Sequence, residues 1–513
     1  MDYSLSKKSL SVSETVFEGC LEQPIDLDFS LPDYCPDIQR ILKCQAYPKI
    51  FTKNVSGDRL DVDGAAVVRI LYVDAVKKSV RCSEHVMPFT SSFNLKTTPQ
   101  NAVVLANAKP EYLNCRALSP RRLDIHGAFT VCAKVVSKAD RENVCSVDGD
   151  DVQMMKASFP VTTVTGSGQQ LFTVSEDIEL GSGKPPVESI LRTDAKAYLT
   201  ECKAITNKMM IKGDLNLKVL YLADLDTGAV EVLDYTIPIN QIIDADGVDE
   251  NASCDTVLEI MTYDVRVRND LSENDTIMSL EAKLCATVTS YGEDEAQLVT
   301  DAYSTVYDLD LTFGQVQLPK LMTIINDTYV NKSTVESSSS GITKMLDLWN
   351  EQCTVKALEE NGRMVLTGKF NVCILALDSE DAPFYTERAV DFTYPLNLDG
   401  EIKNLIAAPR AQVVSISYRL GDGNQLDLRT EIQLSVPVFE HKSTRAVTAA
   451  SANEEHLRQK DDSVALTLYY AGDGEKIWDI ARDYCICCDA VKAENDLAED
   501  TVAQDRMLLI PNI

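Results

Sequence analysis

A glycine set inside a run of alternating apolar residues occurs three times at nearly constant spacing, and no other feature limits the fold of this chain so tightly. The copies are Leu60-Asp-Val-Asp-Gly64-Ala-Ala-Val-Val-Arg-Ile-Leu-Tyr72, Met209-Met-Ile-Lys-Gly213-Asp-Leu-Asn-Leu-Lys-Val-Leu-Tyr221 and Met364-Val-Leu-Thr-Gly368-Lys-Phe-Asn-Val-Cys-Ile-Leu-Ala376. Ala66, Val68 and Ile70 share one face, matched by Leu215, Leu217 and Val219 and then by Phe370, Val372 and Ile374. A period of two is that of a half-buried β-strand with one polar face. The glycine in each marks a bulge or bend.

The offsets, 149 and 155 residues, are obeyed by other segments too. Pro36, Ile38, Ile41 and Leu42 map onto Pro185, Val187, Ile190 and Leu191, then onto Ser340, Ile342, Met345 and Leu346. Met87-Pro88-Phe89, Ile237-Pro238-Ile239 and Tyr394-Pro395-Leu396 follow downstream, and strand-like stretches at 123–136, 277–288 and 426–438 close each unit. Ordered matches at one offset indicate a triplicated domain. The period is too long for a solenoid, so the units are expected as separate beads. Each is expected to begin with a short helical turn at the Pro-x-x-x-x-Ile-Leu segment and to continue as six or more strands in an antiparallel β-sandwich. The expected boundaries are 15–155, 165–300 and 315–441, followed by a flexible linker at 442–462 and a different, small unit at 463–513.

That last unit reads β-α-α-β. Leu466-Thr-Leu-Tyr-Tyr470 is a strand, Ala471-Gly-Asp-Gly474 a turn, and Ile477, Ile480, Ala481 and Tyr484 lie at helical spacing. Cys485, Cys487 and Cys488 break the helix, a second short helix leads to Asn495, and Arg506-Met-Leu-Leu-Ile-Pro511 returns as a strand. Trp478 sits about 100° round from the apolar stripe, at its border, where a large aromatic suits an interface anchor. Leu466 and the turn Gly472, Asp473, Gly474 and Glu475 complete the candidate partner patch, with Asn495 beside it.

Charge and cysteine usage narrow the function. Lys and Arg number 49 against 79 Asp and Glu, a formal charge of −30, which disfavours nucleic acid and anionic membrane as partners. No apolar run approaches the length of a membrane span, and the first residues lack the apolar core of a signal peptide. The 15 cysteines show no disulfide framework, so reduced thiols and a cytoplasmic location are expected. Gly181-Ser-Gly-Lys184 fails as a phosphate loop because Ile178 and Pro185 stand where glycine and Ser/Thr are needed. His85, His126, His441 and His456 name no triad or zinc site, and the Cys485/Cys487/Cys488 cluster lacks a fourth ligand. No catalytic residue, metal or cofactor is expected.

Leu31-Pro-Asp-Tyr-Cys-Pro-Asp-Ile-Gln-Arg-Ile-Leu-Lys43, with the Gly64 strand behind it, resembles the SPOCS domain family of spore coat and cortex proteins. Gly472-Asp473, Ile477-Trp478-x-Ile480-Ala481, Asn495 and Leu509-Ile510-Pro511 resemble the LysM domain family. Gly474 replaces the usual threonine, and Asp505-Arg506 replace a Gly-polar pair, near the loops that hold N-acetyl sugars in that family. Together the array is similar to the SipL-type spore morphogenesis family of endospore-forming bacteria. That resemblance implies a mainly β, multidomain, non-catalytic scaffold of the mother cell, recruited to the forespore surface. Its LysM-like domain would bind the ATPase of the coat basement layer while the repeats recruit other coat proteins or self-associate. The alternative is a protein that binds peptidoglycan through N-acetyl glycans.

Overall fold

Gly64, Gly213 and Gly368 occupy the middle strand of three copies of one sheet, each where a neighbouring backbone comes too close for a side chain. In this computed structural model a methyl group on them would collide with the carbonyls of Lys49, Tyr198 and Thr354 respectively. The structure describes residues 3–99, 102–180, 183–269, 276–336, 341–398, 404–421, 425–457, 464 and 466–511.

The first unit comprises β1 (Ser4–Ser30), β2 (Ile38–Ser56), β3 (Arg59–Asp74), β4 (Val80–Asn94), β5 (Val103–Ser119) and β6 (Arg122–Asp148). Its sheets run β2-β3-β4 and β1-β6-β5. The second has β7 (Val152–Glu179), β8 (Ser189–Ile205), β9 (Lys208–Leu222), β10 (Val230–Asp244), β11 (Ser253–Asn269) and β12 (Thr276–Ser304), ordered β8-β9-β10 and β11-β12-β7. The third repeats the plan with β13 (Tyr307–Glu336), β14 (Lys344–Glu360), β15 (Arg363–Leu377), β16 (Pro383–Pro395), β17 (Leu405–Ala407), β18 (Arg410–Leu420) and β19 (Gln425–Leu457). There β17 and β18 both pair with β19. Ile70, Val219 and Ile374 are fully buried in the three corresponding cores, each closed between a meander sheet and its second sheet.

The expected helical turn is extended chain instead, because β2, β8 and β14 start there. Each carries a bulge at the same place: Ile41, Ile190 and Met345 pair with Tyr72, Tyr221 and Ala376, and the next residue is skipped. The skipped residues, Leu42, Leu191 and Leu346, turn to the opposite face. Tyr72 and Tyr221 donate their hydroxyls to the carbonyls of Pro36 and Pro185, which accounts for the tyrosine and proline recurring together. The third proline match fails in register. Phe89, Ile239 and Phe392 stand opposite the three glycines, so Asp391, not Pro395, is equivalent to Pro88 and Pro238.

Nor are the units separate beads. The meander sheets turn their second faces to one another, so the middle strands are buried on both sides rather than half-buried. Val80, Leu191, Leu220, Val230, Leu346, Trp349 and Leu375 form one core contributed by all three units. Contacts of β4 with β8, β10 with β14, and β16 with β2 close the ring, a head-to-tail arrangement with pseudo-threefold symmetry. Beyond the sandwiches the ribbons β1/β6, β7/β12 and β13/β19 continue and pack into a three-ribbon stalk. Leu10, Val161, Leu298, Leu318 and Ala446 form one layer of its interior, and Val147, Val152, Val299 and Val447 another.

Two further expectations are corrected. The linker at 442–462 is strand as far as Leu457: its Ala- and Ser-rich sequence continues β19, where small side chains fit the crowded stalk interior. Residues 458–462 lie outside the described residues. Cys20 and Cys132 form a disulfide, since the β1/β6 register sets them directly opposite each other; the other 13 cysteines are free thiols.

Candidate partner site at the stalk tip

The C-terminal unit folds as β20 (Thr467–Ala471), α1 (Ile477–Asp483), α2 (Cys488–Glu494) and β21 (Arg506–Ile510), with β20 and β21 antiparallel. Ala471, Ile477, Ile480, Ala481, Val491, Val502, Leu508 and Ile510 form its core. Gly474 takes a left-handed conformation, φ +80°, that lets the chain turn into α1. The Glu475 carboxylate closes that turn by accepting hydrogen bonds from the Gly472 N–H at 3.0 Å and the Tyr469 hydroxyl. Asn495 is buried; its side-chain amide donates to the carbonyls of Val491 and Leu509 at 2.8 and 2.7 Å and accepts from the Leu509 N–H at 2.6 Å. Glu475 and Asn495 therefore hold the unit together, and their polar atoms are engaged within it.

Trp478 is not a free anchor. Its indole N–H donates to the Asp301 carboxylate at 2.9 Å, and its ring packs edge-on against Tyr303 with centroids 4.9 Å apart. Arg482 pairs with the same Asp301 oxygen at 2.9 Å. Tyr303 is 3% exposed, belongs to the core of the C-terminal unit, and donates its hydroxyl to the Ile486 carbonyl at 2.7 Å. Both stalk residues lie near the end of β12, so α1 is docked on the tip of the stalk. The Cys488 thiol lies 3.5 Å from the Tyr303 hydroxyl, which places the cysteine cluster at this junction. Burial, ahead of the neighbouring thiols, raises the Tyr303 hydroxyl above its ordinary pKa and keeps it a proton donor.

The remaining members of the patch are divided. Leu466, Asp473 and Gly474 are exposed, and Gly472 is half-buried beside the turn. Helical periodicity and closeness in sequence grouped these residues, whereas the fold separates those that face solvent from those that face the stalk. Sequence reasoning also missed Leu468, Tyr470 and Met507, which are exposed on the outer face of the two-stranded sheet. Their signal was present as the alternation of Leu466, Leu468 and Tyr470, which leaves Tyr469 and Ala471 for the inner face.

Charged groups also converge around the pseudo-threefold axis. Glu351, Cys373 and Glu387 lie close enough to suggest a metal, but the Lys43 ammonium already sits among them, 2.9 Å from Glu351 and 3.4 Å from Glu387. Burial pushes the Cys373 thiol up to about 12, so it is a poor thiolate ligand. Nearby, Arg192 pairs with Asp347 at 2.9 Å, Lys218 pairs with it at 2.8 Å, and the Arg192 guanidinium lies 4.4 Å from the Trp349 ring centroid. Burial alone would raise the Asp347 carboxyl, but Arg192 and Lys218 outweigh it and hold the group below the ordinary carboxylate range. These pairs join one unit to another and are structural.

Residues 37–118 and 186–268 match the family model described as SipL, SPOCS domain. Two of the repeats are SPOCS domains. The matched segments begin beside β2 and β8 and run through the meander into β5 and β11, in the same order in both units. The third SPOCS-like unit and the C-terminal unit lie outside the match. No curated protein and no solved structure matches the chain. Among the described residues no helix is long and apolar enough to cross a membrane.

Proposed function

We propose that this SPOCS-domain protein is a non-catalytic scaffold of the bacterial spore envelope, acting in the mother cell at the forespore surface. Its C-terminal, LysM-like unit binds the ATPase of the coat basement layer, and the threefold body recruits other coat proteins. The observation that carries this reading is the pair of SPOCS domains, a sporulation domain family, joined through a long stalk to a small unit of another fold. A body that holds a binding unit well away from its main surface can engage two partners at once and gain affinity through effective concentration.

Peptidoglycan is the competing ligand, favoured by the exposed turn at Asp473 and Gly474. Full-length protein and a chain ending before residue 464 are compared for co-purification with the ATPase and for sedimentation with peptidoglycan. Capture of the ATPase by the full chain alone supports the scaffold reading. Retention on peptidoglycan that needs the C-terminal unit, without capture of the ATPase, supports the other. A fluorescent fusion should form a ring around the forespore, and diffuse signal in the mother cell would count against envelope recruitment.

A further inference from the structure

The docked side of the C-terminal unit leaves its opposite side open. Helix α1, the loop after it and the first residue of α2 meet the stalk through Trp478, Arg482, Ile486 and Cys488. Beyond the core, β20, β21 and the residue just before β20 turn outward Leu466, Leu468, Tyr470 and Met507, which are 54%, 57%, 66% and 58% exposed. The register places Tyr470 opposite Met507 and Leu468 opposite Leu509, so the apolar side chains form one continuous face. Single exposed apolar residues are ordinary, but a contiguous group on a unit this small marks an interaction surface.

Charge around that face selects the occupant. Residues 464–511 contain ten acidic and four basic side chains. Three of the four basic ones are engaged: Arg482 with Asp301, Lys492 with Asp500, and Arg506 with the Asn495 carbonyl. Asp473 and Asp505 stand at the Tyr470 end of the sheet, joined by the Asp473 N–H donating to the Asp505 carboxylate at 2.8 Å. A second copy of a chain with a charge of −30 would be repelled.

We infer that this strand face is the docking surface for a protein partner that presents apolar side chains flanked by lysine or arginine. The inference rests on the proposed function, which supplies a protein partner, and adds which face meets it and with what chemistry. Tyr470 and Met507 are of the residue types enriched at interface centres, and the acidic surroundings speed encounter with a basic partner.

The test uses full-length protein and purified basement-layer ATPase, with Leu468→Ser/Tyr470→Ser as the variant. Both side chains are exposed, so the melting temperature should stay near that of the wild type while affinity falls about tenfold or more. Wild-type affinity should also weaken as salt rises, because exposed charges are screened. Binding within twofold of wild type by the folded variant overturns the face and leaves the proposed function standing. Failure of the wild type to bind overturns both. Wild-type self-association in sedimentation that the variant loses would make a second copy the occupant and overturn the inferred partner. If the double variant does not fold, Met507→Ser carries the same measurement, and unchanged affinity there overturns the face.

Discussion

The second and third units place opposite charges at the same position. Lys43, Arg192 and Asp347 each follow the bulge in the first strand of their meander sheets, yet two are cationic and one is anionic. Four residues further along the same strands, Tyr47, Lys196 and Glu351 repeat the pattern of a third unit that is acidic where the second is basic. Had the units stayed identical, like charges would meet around the axis. The third instead receives Arg192 on Asp347 and Lys43 on Glu351. Its departure from the repeat is complementarity, and it fixes which unit may follow which.

Reversing that difference should have the largest effect. Asp347→Lys places a third cation beside Arg192 and Lys218 in a fully buried site and should cost at least the ~3–5 kcal/mol of a broken buried pair, measured by denaturant unfolding. Arg192→Leu/Asp347→Leu should recover most of that loss, since removing both charges leaves neither buried alone. If Asp347→Lys is as stable as the wild type, the axis does not depend on charge order.

Acid should weaken the same contact. The Asp347 pKa is lower folded than unfolded, so its stabilisation is complete above the ordinary carboxylate value and is lost as pH falls toward the lowered folded value. Stability measured from about pH 5 to pH 2 should therefore decline, and Asp347→Asn should flatten the decline relative to its own, lower plateau. An equally steep fall in the variant would assign the acid sensitivity to other carboxylates.

The first unit differs from the other two by its cross-strand disulfide. Cys20→Ser/Cys132→Ser should lower stability by about 2–4 kcal/mol. Thiol titration of denatured, unreduced protein should find 13 free cysteines, whereas a count of 15 would remove this distinction between the units. The smallest effect belongs to the hydrogen bonds shared by the first two units. Tyr72→Phe and Tyr221→Phe should each cost about 1 kcal/mol by leaving the Pro36 and Pro185 carbonyls without that donor. A loss in only one of them would show that the two units are not equivalent there.

The sandwiches were legible because each glycine strand states its own inner face: Ile70, Val219 and Ile374 announce burial by alternation alone. The ring was not, because its outer faces mix apolar residues such as Leu220 and Leu375 with charged ones that read as solvated until a partner meets them. Arg192 reads as solvent-facing unless Asp347, 155 residues away, is known to meet it. Likewise Cys20 and Cys132 are separated by 112 residues, and only the ribbon register brings them together. The C-terminal patch was half-legible. The residue types were right for an interface, but periodicity could not reveal that the ring of Trp478 already rests on Tyr303.

Closure of the ring through β16 and β2 sets an order on synthesis. The first unit leaves the ribosome with one face of its meander unpaired, exposing Val80 and the bulge leucine Leu42, and the second adds Leu191 and Leu220 to that open wedge. Only the third, translated last, supplies both the missing wall and the carboxylates that accept Lys43 and Arg192. A chain stopped between Leu222 and Lys344 would therefore carry an uncovered apolar wedge lined with unpaired cations, a target for chaperones and for aggregation. The body is thus complete only once its final repeat arrives.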